Sequence, residues 1–354
     1  MKIPIIQGGM GVRVSSSSLA SAVSNEGALG VIAAVALGNE ESANPFDFKI
    51  RSRNALVTII RDTKRLTRNP FGVNIMCALS NYDDLVAAAQ EEKVEVIISG
   101  AGLPLKLPAL VSSPGPKLIP IVSSARAARL ICSVWKRRYN RLPDAIIVEG
   151  PLAGGHLGYS REELNDKEHF SLEIILPEVI KAVREYESAG IKIPVISAGG
   201  VFDGSDIAAM MRLGASGVQM ATRFVCTNEC DVSLKYKETY MSARKEDIVI
   251  IQSPVGMPGR VVENAFVRRI MSGERIDFDC AYRCLSTCNP KKVNYCIAKA
   301  LINASRGEMD KGFAMCGSNA YRIKSIIPVK QLIAELVEET RCCLKTDKEL
   351  LSKK

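Results

Sequence analysis

Short apolar runs rich in β-branched residues recur along the first 220 residues of the 354-residue chain, with helical patterns between them. The runs are continuous rather than alternating, which is typical of parallel strands that are covered on both faces. We predict eight strands, at residues 4–7, 29–33, 71–74, 96–99, 118–122, 145–148, 195–198 and 217–220, and helices at 18–25, 82–90, 124–139, 172–187 and 203–213. This number of alternating units favours an α/β protein with a TIM (β/α)8 barrel over an open six-stranded sheet.

The pattern changes after Met220. Residues 225–308 lack the regular alternation and contain a Pro- and Gly-rich loop at 253–259, whereas residues 326–339 again have the apolar spacing of an amphipathic helix. We therefore predict a barrel formed by residues 1–224 and 309–354. Residues 225–308 would be a helical insertion after strand eight, acting as a substrate or lid domain.

Composition excludes several classes of protein. The longest apolar run, residues 28–37, is too short to span a bilayer, and the N-terminus has no long apolar stretch of the kind found in signal peptides. Aromatic residues make up only 5% of the chain, and no zinc-finger or RNP-type motif is present, which argues against nucleic-acid binding. The sequence predicts a cytoplasmic protein.

Two basic runs stand out within a net charge of +9. They contain Arg61, Lys64, Arg65 and Arg68, and then Lys136, Arg137, Arg138 and Arg141. We interpret both as solvated helix faces. The alternative is attraction of an acidic partner, such as nucleotide phosphates, coenzyme A or an acidic carrier protein.

Small residues, mostly glycines, follow three of the predicted strands. Gly8, Gly9 and Gly11 follow strand one, Gly199 and Gly200 follow strand seven, and Ala221-Thr222 follows strand eight. In a TIM barrel all of these positions lie at the carboxyl ends of the strands, where active sites occur and where the loops after strands seven and eight commonly bind phosphate. Glycine lets backbone N–H groups approach an anion closely, so we predict a phosphate site, the alternative being ordinary tight turns.

One of the two histidines lies in a Gly-rich loop directly after strand six. The loop runs from Glu149 to Gly158 and contains His156. Imidazole is well suited to exchanging a proton near neutral pH, so His156 is our candidate catalytic residue. We interpret the other histidine, His169, as a solvated residue.

Four of the eleven cysteines fall within seventeen residues: Cys280, Cys284, Cys288 and Cys296. On a helix the first three would share one face. We hypothesise that the four bind an iron–sulfur cluster or a metal, although the spacing matches neither a zinc knuckle nor the common ferredoxin run. The alternatives are small buried apolar side chains and a redox dithiol.

Several segments together resemble the nitronate monooxygenase family (formerly 2-nitropropane dioxygenases), which includes FMN-dependent enoyl-ACP reductases and NADH:quinone reductases. The matching segments are residues 4–11, 72–74, 153–156, 197–200, 219–224 and 314–318. The resemblance covers most of residues 1–224 and about 309–340.

The resemblance implies an FMN held at the top of a TIM barrel. The residues that would contact the flavin ring system are Gly8, Gly9, Met10, Asn74, Lys117, Glu149 and Gly154, with Lys117 at the N1–C2 end of the ring, where a cation stabilises the reduced flavin. Those that would hold the ribityl chain and phosphate are Gly199, Gly200, Gln219, Met220, Ala221 and Thr222. The family usually has glycine at position 221, and we expect the alanine to be tolerated.

The resemblance also implies an activity. The leading interpretation is a nitronate monooxygenase-like enzyme, in which His156 faces the substrate and alkyl nitronates are oxidised with O2 to a carbonyl compound and nitrite. The alternative is an NAD(P)H-dependent FMN reductase of enoyl-ACP or quinone, and a second alternative is a barrel that binds a phosphorylated ligand without redox chemistry. The expected partners are a small-molecule substrate and, in the reductase case, NAD(P)H; a homodimer is left open.

Overall fold

The computed structural model describes residues 1–38, 47–166, 168–280 and 283–351. Eight parallel strands are hydrogen-bonded in the order β1-β9-β8-β6-β5-β4-β3-β2, and pairing of Ile6 with Leu29 brings the first and last strands of this order together. The described strands, including three that form a separate small sheet (β7, β10 and β11), are β1 (Ile5–Gln7), β2 (Val31–Ala33), β3 (Gly72–Met76), β4 (Val96–Gly100), β5 (Lys117–Val122), β6 (Ile146–Glu149), β7 (Gly155–His156), β8 (Val195–Ala198), β9 (Gly217–Met220), β10 (Ile248–Gln252) and β11 (Pro258–Val262). The predicted TIM barrel is confirmed.

The interior of the barrel is filled by side chains from the parallel strands. Ile6, Val31, Ile98, Ile147 and Ile196 belong to one buried cluster inside the ring of strands. A second and larger cluster lies between the strands and the surrounding helices. Strands covered on both faces explain why the sequence shows continuous apolar runs.

Helices surround the barrel strands. They are α1 (Ser17–Asn25), α2 (Phe48–Leu66), α3 (Tyr82–Glu91), α4 (Ala125–Tyr139), α5 (Arg161–Asn165), α6 (Leu172–Arg184), α7 (Gly204–Arg212), α8 (Thr222–Val225), α9 (Leu234–Ser242), α10 (Ala265–Met271), α11 (Ile297–Ser305) and α12 (Val329–Leu351). Sequence analysis missed α2 because its buried face includes Ser52 and Thr63, which interrupt the apolar stripe. No helix in the described part of the chain is long and apolar enough to cross a membrane.

Both basic runs lie on outer helices, near the amino ends of the barrel strands. Arg61 of α2 pairs with Glu92 at 2.6 Å, and the run at the end of α4 continues to Arg141, which pairs with Asp144 at 3.1 Å. Each helix starts after the carboxyl end of one strand and ends before the amino end of the next, so these late positions lie away from the carboxyl face. The runs therefore do not border the mouth of the barrel.

The inserted segment is not purely helical. Besides α9, α10 and α11, it contains the antiparallel pair β10–β11, and β11 also pairs with β7, which lies outside the insertion. The sequence carries a signal for this hairpin, a β-branched run at 248–251 followed by the Pro- and Gly-rich loop. The expectation of a helical insertion is thus corrected to a mixed one.

The chain returns to the barrel with α12. This helix packs against α7 and α1, and its buried residues include Val329, Leu332, Ile333 and Leu336. The predicted amphipathic helix is confirmed, with a later start and a longer extent.

Replacing Leu332 by alanine should destabilise the protein by about 2–5 kcal/mol, because the side chain is fully buried and a cavity would remain. Lys330→Ala, at an exposed position of the same helix, should change the free energy of unfolding by less than about 0.5 kcal/mol. Urea denaturation of both variants measures the difference. Equal stabilities would mean that α12 does not complete the barrel.

Candidate active site

The carboxyl ends of the barrel strands open into a cavity with an empty volume of about 1330 Å³, its mouth included. Its lining includes residues of β3, β6, β7 and β9 and of the segments that follow β1, β6 and β9: Gly8, Gly9, Met10, Asn74, Glu149, Gly154, His156, Gln219, Ala221 and Thr222.

The loop after β1 is held by the side chain of Gln7. Its Nε2 donates to Ser15 Oγ at 2.8 Å, and its Oε1 accepts from the backbone N–H of Val31 at 3.1 Å. A Cβ on Gly9 would lie 2.5 Å from the Cβ of Asn74. Glycine is therefore required where this loop meets the end of β3.

A smaller cradle adjoins the cavity at the ends of β8 and β9. It is lined by Gly199, Gly200, Met220, Thr222, Gly317, Ser318 and Asn319, among others. The backbones of Gly199 and Gly200 are left-handed, with φ of 90° and 97°. The N–H of Gly317 donates to Thr222 Oγ1 at 2.8 Å. This hydrogen bond fixes the segment that follows the insertion against the end of β9.

Two polar atoms at the cradle and cavity are buried without a partner among the described residues. These are Ser318 Oγ and Gln219 Oε1. A buried polar atom without a hydrogen bond costs about 1–3 kcal/mol, so its presence points to a polar ligand. Arg223 also lies close by, with its guanidinium 4.8 Å from the centre of the Phe202 ring, which lines the cradle. Backbone N–H groups, hydroxyls and a nearby cation form a donor set suited to a phosphate.

Alanine at position 221 fits without strain. Its φ is −122°, a value that any L residue adopts, and it lines both the cavity and the cradle.

His156 is positioned by the pairing of β7 with β11. Its backbone lies opposite Gly259, and the neighbouring Leu157 N–H donates to Pro258 O at 2.8 Å. Its ring Nε2 lies 2.8 Å from Ser253 Oγ, whereas no described residue bonds its Nδ1. The inserted hairpin thus holds the imidazole and leaves one ring nitrogen for a ligand.

The hydrogen bonds of Ser253 determine the tautomer of His156. Ser253 is buried, and its Oγ accepts from the N–H of Val255 at 3.2 Å. Among the described residues, His156 Nε2 is the acceptor that its hydroxyl proton can reach. Because a buried hydroxyl donor is costly to leave unpaired, we infer that Ser253 donates to Nε2, which assigns the proton of the neutral ring to Nδ1. Burial lowers the pKa of His156 to about 4, which keeps the ring neutral at pH 7.

Glu149, at the end of β6, is the second titratable group of the cavity. Burial raises the pKa of its carboxyl from 4.5 to about 7. The group can therefore hold a proton near neutral pH.

The other wall of the cavity is apolar and comes mostly from the inserted segment. It includes Tyr236, Tyr240, Val255, Leu285, Ile297, Ala298 and Leu301. The rings of Tyr236 and Tyr240 lie 5.7 Å apart, and Tyr240 donates to the carbonyl of Met315. This wall suits an apolar substrate group.

A family model described as nitronate monooxygenase matches residues 1–339. The chain belongs to the nitronate monooxygenase family. Members of this family are oxidoreductases and in general use FMN.

Solved and curated relatives agree with this assignment. FabK from Thermotoga maritima is 32% identical, with a TM-score of 0.77, over 100% of this chain and 96% of that one. Nitronate monooxygenase of Pseudomonas aeruginosa is 28% identical over 96% of each chain. A relative from Mycobacterium tuberculosis is 33% identical over 77% of this chain; it is named (3aS,4S,5R,7aS)-5-hydroxy-7a-methyl-1-oxo-octahydro-1H-indene-4-carboxyl-CoA dehydrogenase. The match spans 66% of that relative, slightly less than two thirds of its length.

The structure brings together all but one of the residues predicted for the flavin site of this family member. The exception is Lys117, which begins β5 and therefore lies at the amino end of the barrel, where its Nζ pairs with Asp144 at 2.9 Å. The expectation for Lys117 is wrong, because the first residue of a parallel strand is at the face opposite the active site.

Some residues of the site escaped sequence analysis. Ser253 and the two tyrosines lie in the insertion, far along the chain from His156, and their residue types alone do not mark a site. Ser318 lies in the matching segment 314–318, and its position directly after Gly317 was the available signal.

The four clustered cysteines do not share a helix face, because Cys280, Cys284 and Cys288 lie outside regular secondary structure. The cysteines nevertheless lie close together. Burial raises the pKa of the Cys284 thiol to about 12, and the nearby thiols of Cys296 and Cys280 add to this increase. Within the described residues, no group of three or more His, Cys, Asp or Glu side chains is arranged to hold a metal ion. The metal assignment stays a prediction from the sequence.

Glu149→Gln should reveal the raised pKa of Glu149 in cofactor-free protein. A folded-state pKa above the unfolded value stabilises the protein below about pH 4.5, and this contribution is lost as the pH rises through about 7. The melting temperature of the variant minus that of the wild type should therefore be larger at pH 8 than at pH 5. Glu173→Gln, on the exposed face of α6, is the control, and an equal difference at both pH values would contradict the prediction.

Proposed function

We propose that the chain is an FMN-dependent oxidoreductase that reduces the double bond of an α,β-unsaturated acyl thioester with electrons from NAD(P)H. The overall reaction converts enoyl thioester, NAD(P)H and a proton into the saturated thioester and NAD(P)+. FMN, when bound, would supply the redox chemistry by accepting hydride from NAD(P)H and passing it to the substrate.

The residues present fit FMN. Gly199, Gly200, Gly317 and Ser318 would hold the phosphate, and the unpartnered Ser318 Oγ and Gln219 Oε1 would gain partners. Glycine at position 9 adds no side chain to the lining of the cavity, where the ring system would lie.

The observation that supports a thioester substrate is the 2.8 Å contact between His156 Nε2 and Ser253 Oγ, from which we infer the tautomer of His156. Because Ser253 donates to Nε2, the ring offers Nδ1–H, a hydrogen-bond donor, to the cavity. A donor stabilises the negative charge that develops on a thioester carbonyl oxygen when hydride adds at the β-carbon. The neighbouring Glu149 would be the group that holds the proton which the α-carbon finally receives.

Relatives support the same substrate class. FabK is an enoyl-ACP reductase, and the M. tuberculosis relative is named as a dehydrogenase of a carboxyl-CoA, so both act on thioesters. Both exceed 30% identity to this chain. The apolar wall contributed by residues 225–308 would accept the acyl group, which is why we propose this insertion as the substrate domain.

The second candidate is oxidation of alkyl nitronates with O2 to a carbonyl compound and nitrite. It is favoured by the match to the nitronate monooxygenase model and by the P. aeruginosa relative. A nitronate is already deprotonated, so the same Nδ1–H would donate to its oxygens. Only removal of a proton from a neutral nitroalkane would need the other tautomer of His156, which leaves the buried hydroxyl proton of Ser253 without an acceptor among the described residues.

Steady-state assays distinguish the two reactions. With crotonyl-CoA, the protein should oxidise NAD(P)H and form butyryl-CoA, and nitronate should release little nitrite. His156→Ala should retain flavin and lose about 100-fold or more in kcat, because removing one donor to a developing oxyanion has this effect. Rapid nitrite release without thioester-dependent NAD(P)H oxidation would favour the second candidate, and loss of flavin from His156→Ala would make the residue structural.

Gly200→Val should remove the flavin from the purified protein. The left-handed backbone at Gly200 and the 3.1 Å contact of an added Cβ with Leu152 leave no room for a branched side chain beside the phosphate. The flavin released per chain by denaturation measures this. Gly256→Val, at a left-handed glycine with no atoms around its Cβ position, is the control for backbone strain alone. Full flavin content in Gly200→Val would place the phosphate elsewhere.

A further inference from the structure

A second cleft lies on the outer side of the turn at residues 253–257, back to back with the cavity that contains His156. Its empty volume is about 840 Å³, its mouth included. Ser253 and Pro254 line this cleft, whereas Val255 lines the cavity. The carbonyl of Val255 accepts from Thr287 Oγ1 at 3.1 Å, which holds the turn between the two spaces.

The rim of this outer cleft is basic. Arg161, the first residue of α5, and Lys292 both line it and are exposed. Neither forms an ion pair with a residue that the structure describes, and none of the residues lining the cleft is acidic. Two cations facing one cleft without a paired carboxylate there form a suitable place for a phosphate.

The cleft also offers polar groups, two exposed amides and one buried hydroxyl. Gln252 and Asn294 contribute amides. Tyr295 is 4% exposed, and its hydroxyl has no hydrogen-bond partner among the described residues. Its ring is fixed by edge-on packing against Phe266 and Phe313. A buried hydroxyl without a partner beside a cleft indicates a ligand with polar groups along its length.

The inner edge of the outer cleft reaches the catalytic histidine. Ser253, which lines the cleft, is hydrogen-bonded to His156 at 2.8 Å. A ligand that lies in the cleft and bends over the turn would therefore bring its end to the cavity beside His156.

We propose that this outer cleft binds the phosphopantetheine arm of the thioester substrate. The arm carries a phosphate at one end, two amides along its length and the thioester at the other end. The phosphate would pair with Arg161 and Lys292, and the amides would bond to Gln252, Asn294 and the Tyr295 hydroxyl. The thioester would then lie over the turn, next to His156. This inference rests on the proposed thioester reduction and adds the place where its substrate is held.

The test is charge reversal at the rim in the flavin-loaded protein. In the double variant Arg161→Glu/Lys292→Glu, the KM for crotonyl-CoA should rise at least about tenfold, because two favourable contacts with a phosphate become repulsive. The KM for the crotonyl thioester of N-acetylcysteamine, which has no phosphate, should not change, and neither should kcat. Lys330→Glu on α12, an exposed lysine far along the chain from the cleft, is the matched control and should leave all values as in the wild type.

The phosphopantetheine arm could belong to coenzyme A or to an acyl carrier protein. The same KM measurements with crotonyl-acyl carrier protein distinguish these two sources. A rise in KM in both series assigns the cleft to the shared arm, and a rise confined to one series assigns it to that source. Equal changes for the phosphate-free thioester would indicate general damage and overturn the inference. So would an unchanged KM for every thioester, or a rise in the KM of NAD(P)H instead.

Binding of free coenzyme A to the flavin-loaded protein, measured by calorimetry, separates this inference from the proposed reaction. Weaker binding in the double variant without any reductase activity in the wild type would support the cleft and refute the reaction. Thioester reduction with coenzyme A binding that is unchanged in the double variant would support the reaction and refute the cleft.

Discussion

The pairing of β7 with β11 is the contact on which the active site depends. It joins Gly155 and His156, in a loop of the barrel, to Gly259 and Arg260, in the inserted segment. The same contact fixes the imidazole and brings Ser253 within hydrogen-bonding distance of it. Arg260 adds a buried hydrogen bond to the carbonyl of Ala153. Neither the barrel nor the insertion alone contains the complete site.

The two halves contribute different chemistry. The barrel supplies glycine-rich loops whose backbone groups suit a phosphate and a flat ring. The insertion supplies the apolar wall and the serine that orients His156. Substrate choice in this protein is therefore expected to follow from the insertion, since the same flavin, when bound, would serve either candidate substrate.

The strands of the barrel could be predicted from the sequence because a strand buried on both faces leaves a short apolar run, as at Val31–Ala33 and residues 146–148. The glycines after β8, Gly199 and Gly200, were recognisable for a related reason, since only a few residue types tolerate a left-handed backbone. The hairpin β10–β11 was missed although its β-branched run is visible, because the regular alternation that guided the prediction ends before it. The pair formed by Ser253 and His156 depends on a contact between residues 97 positions apart, which no local pattern reveals. Lys117 was misplaced because the role came from the resemblance alone, although its position directly before the predicted strand at 118–122 already put it at the amino end of the barrel.

Anaerobic reoxidation of the reduced protein tests the central claim most directly. The purified protein would be reduced with one equivalent of NAD(P)H in the absence of O2 and then mixed with crotonyl-CoA while its visible absorbance is followed. The account predicts that the yellow colour of oxidised flavin returns within the turnover time and that butyryl-CoA forms in equal amount. A protein that is colourless from the start, or one that stays bleached until O2 is admitted, would contradict it.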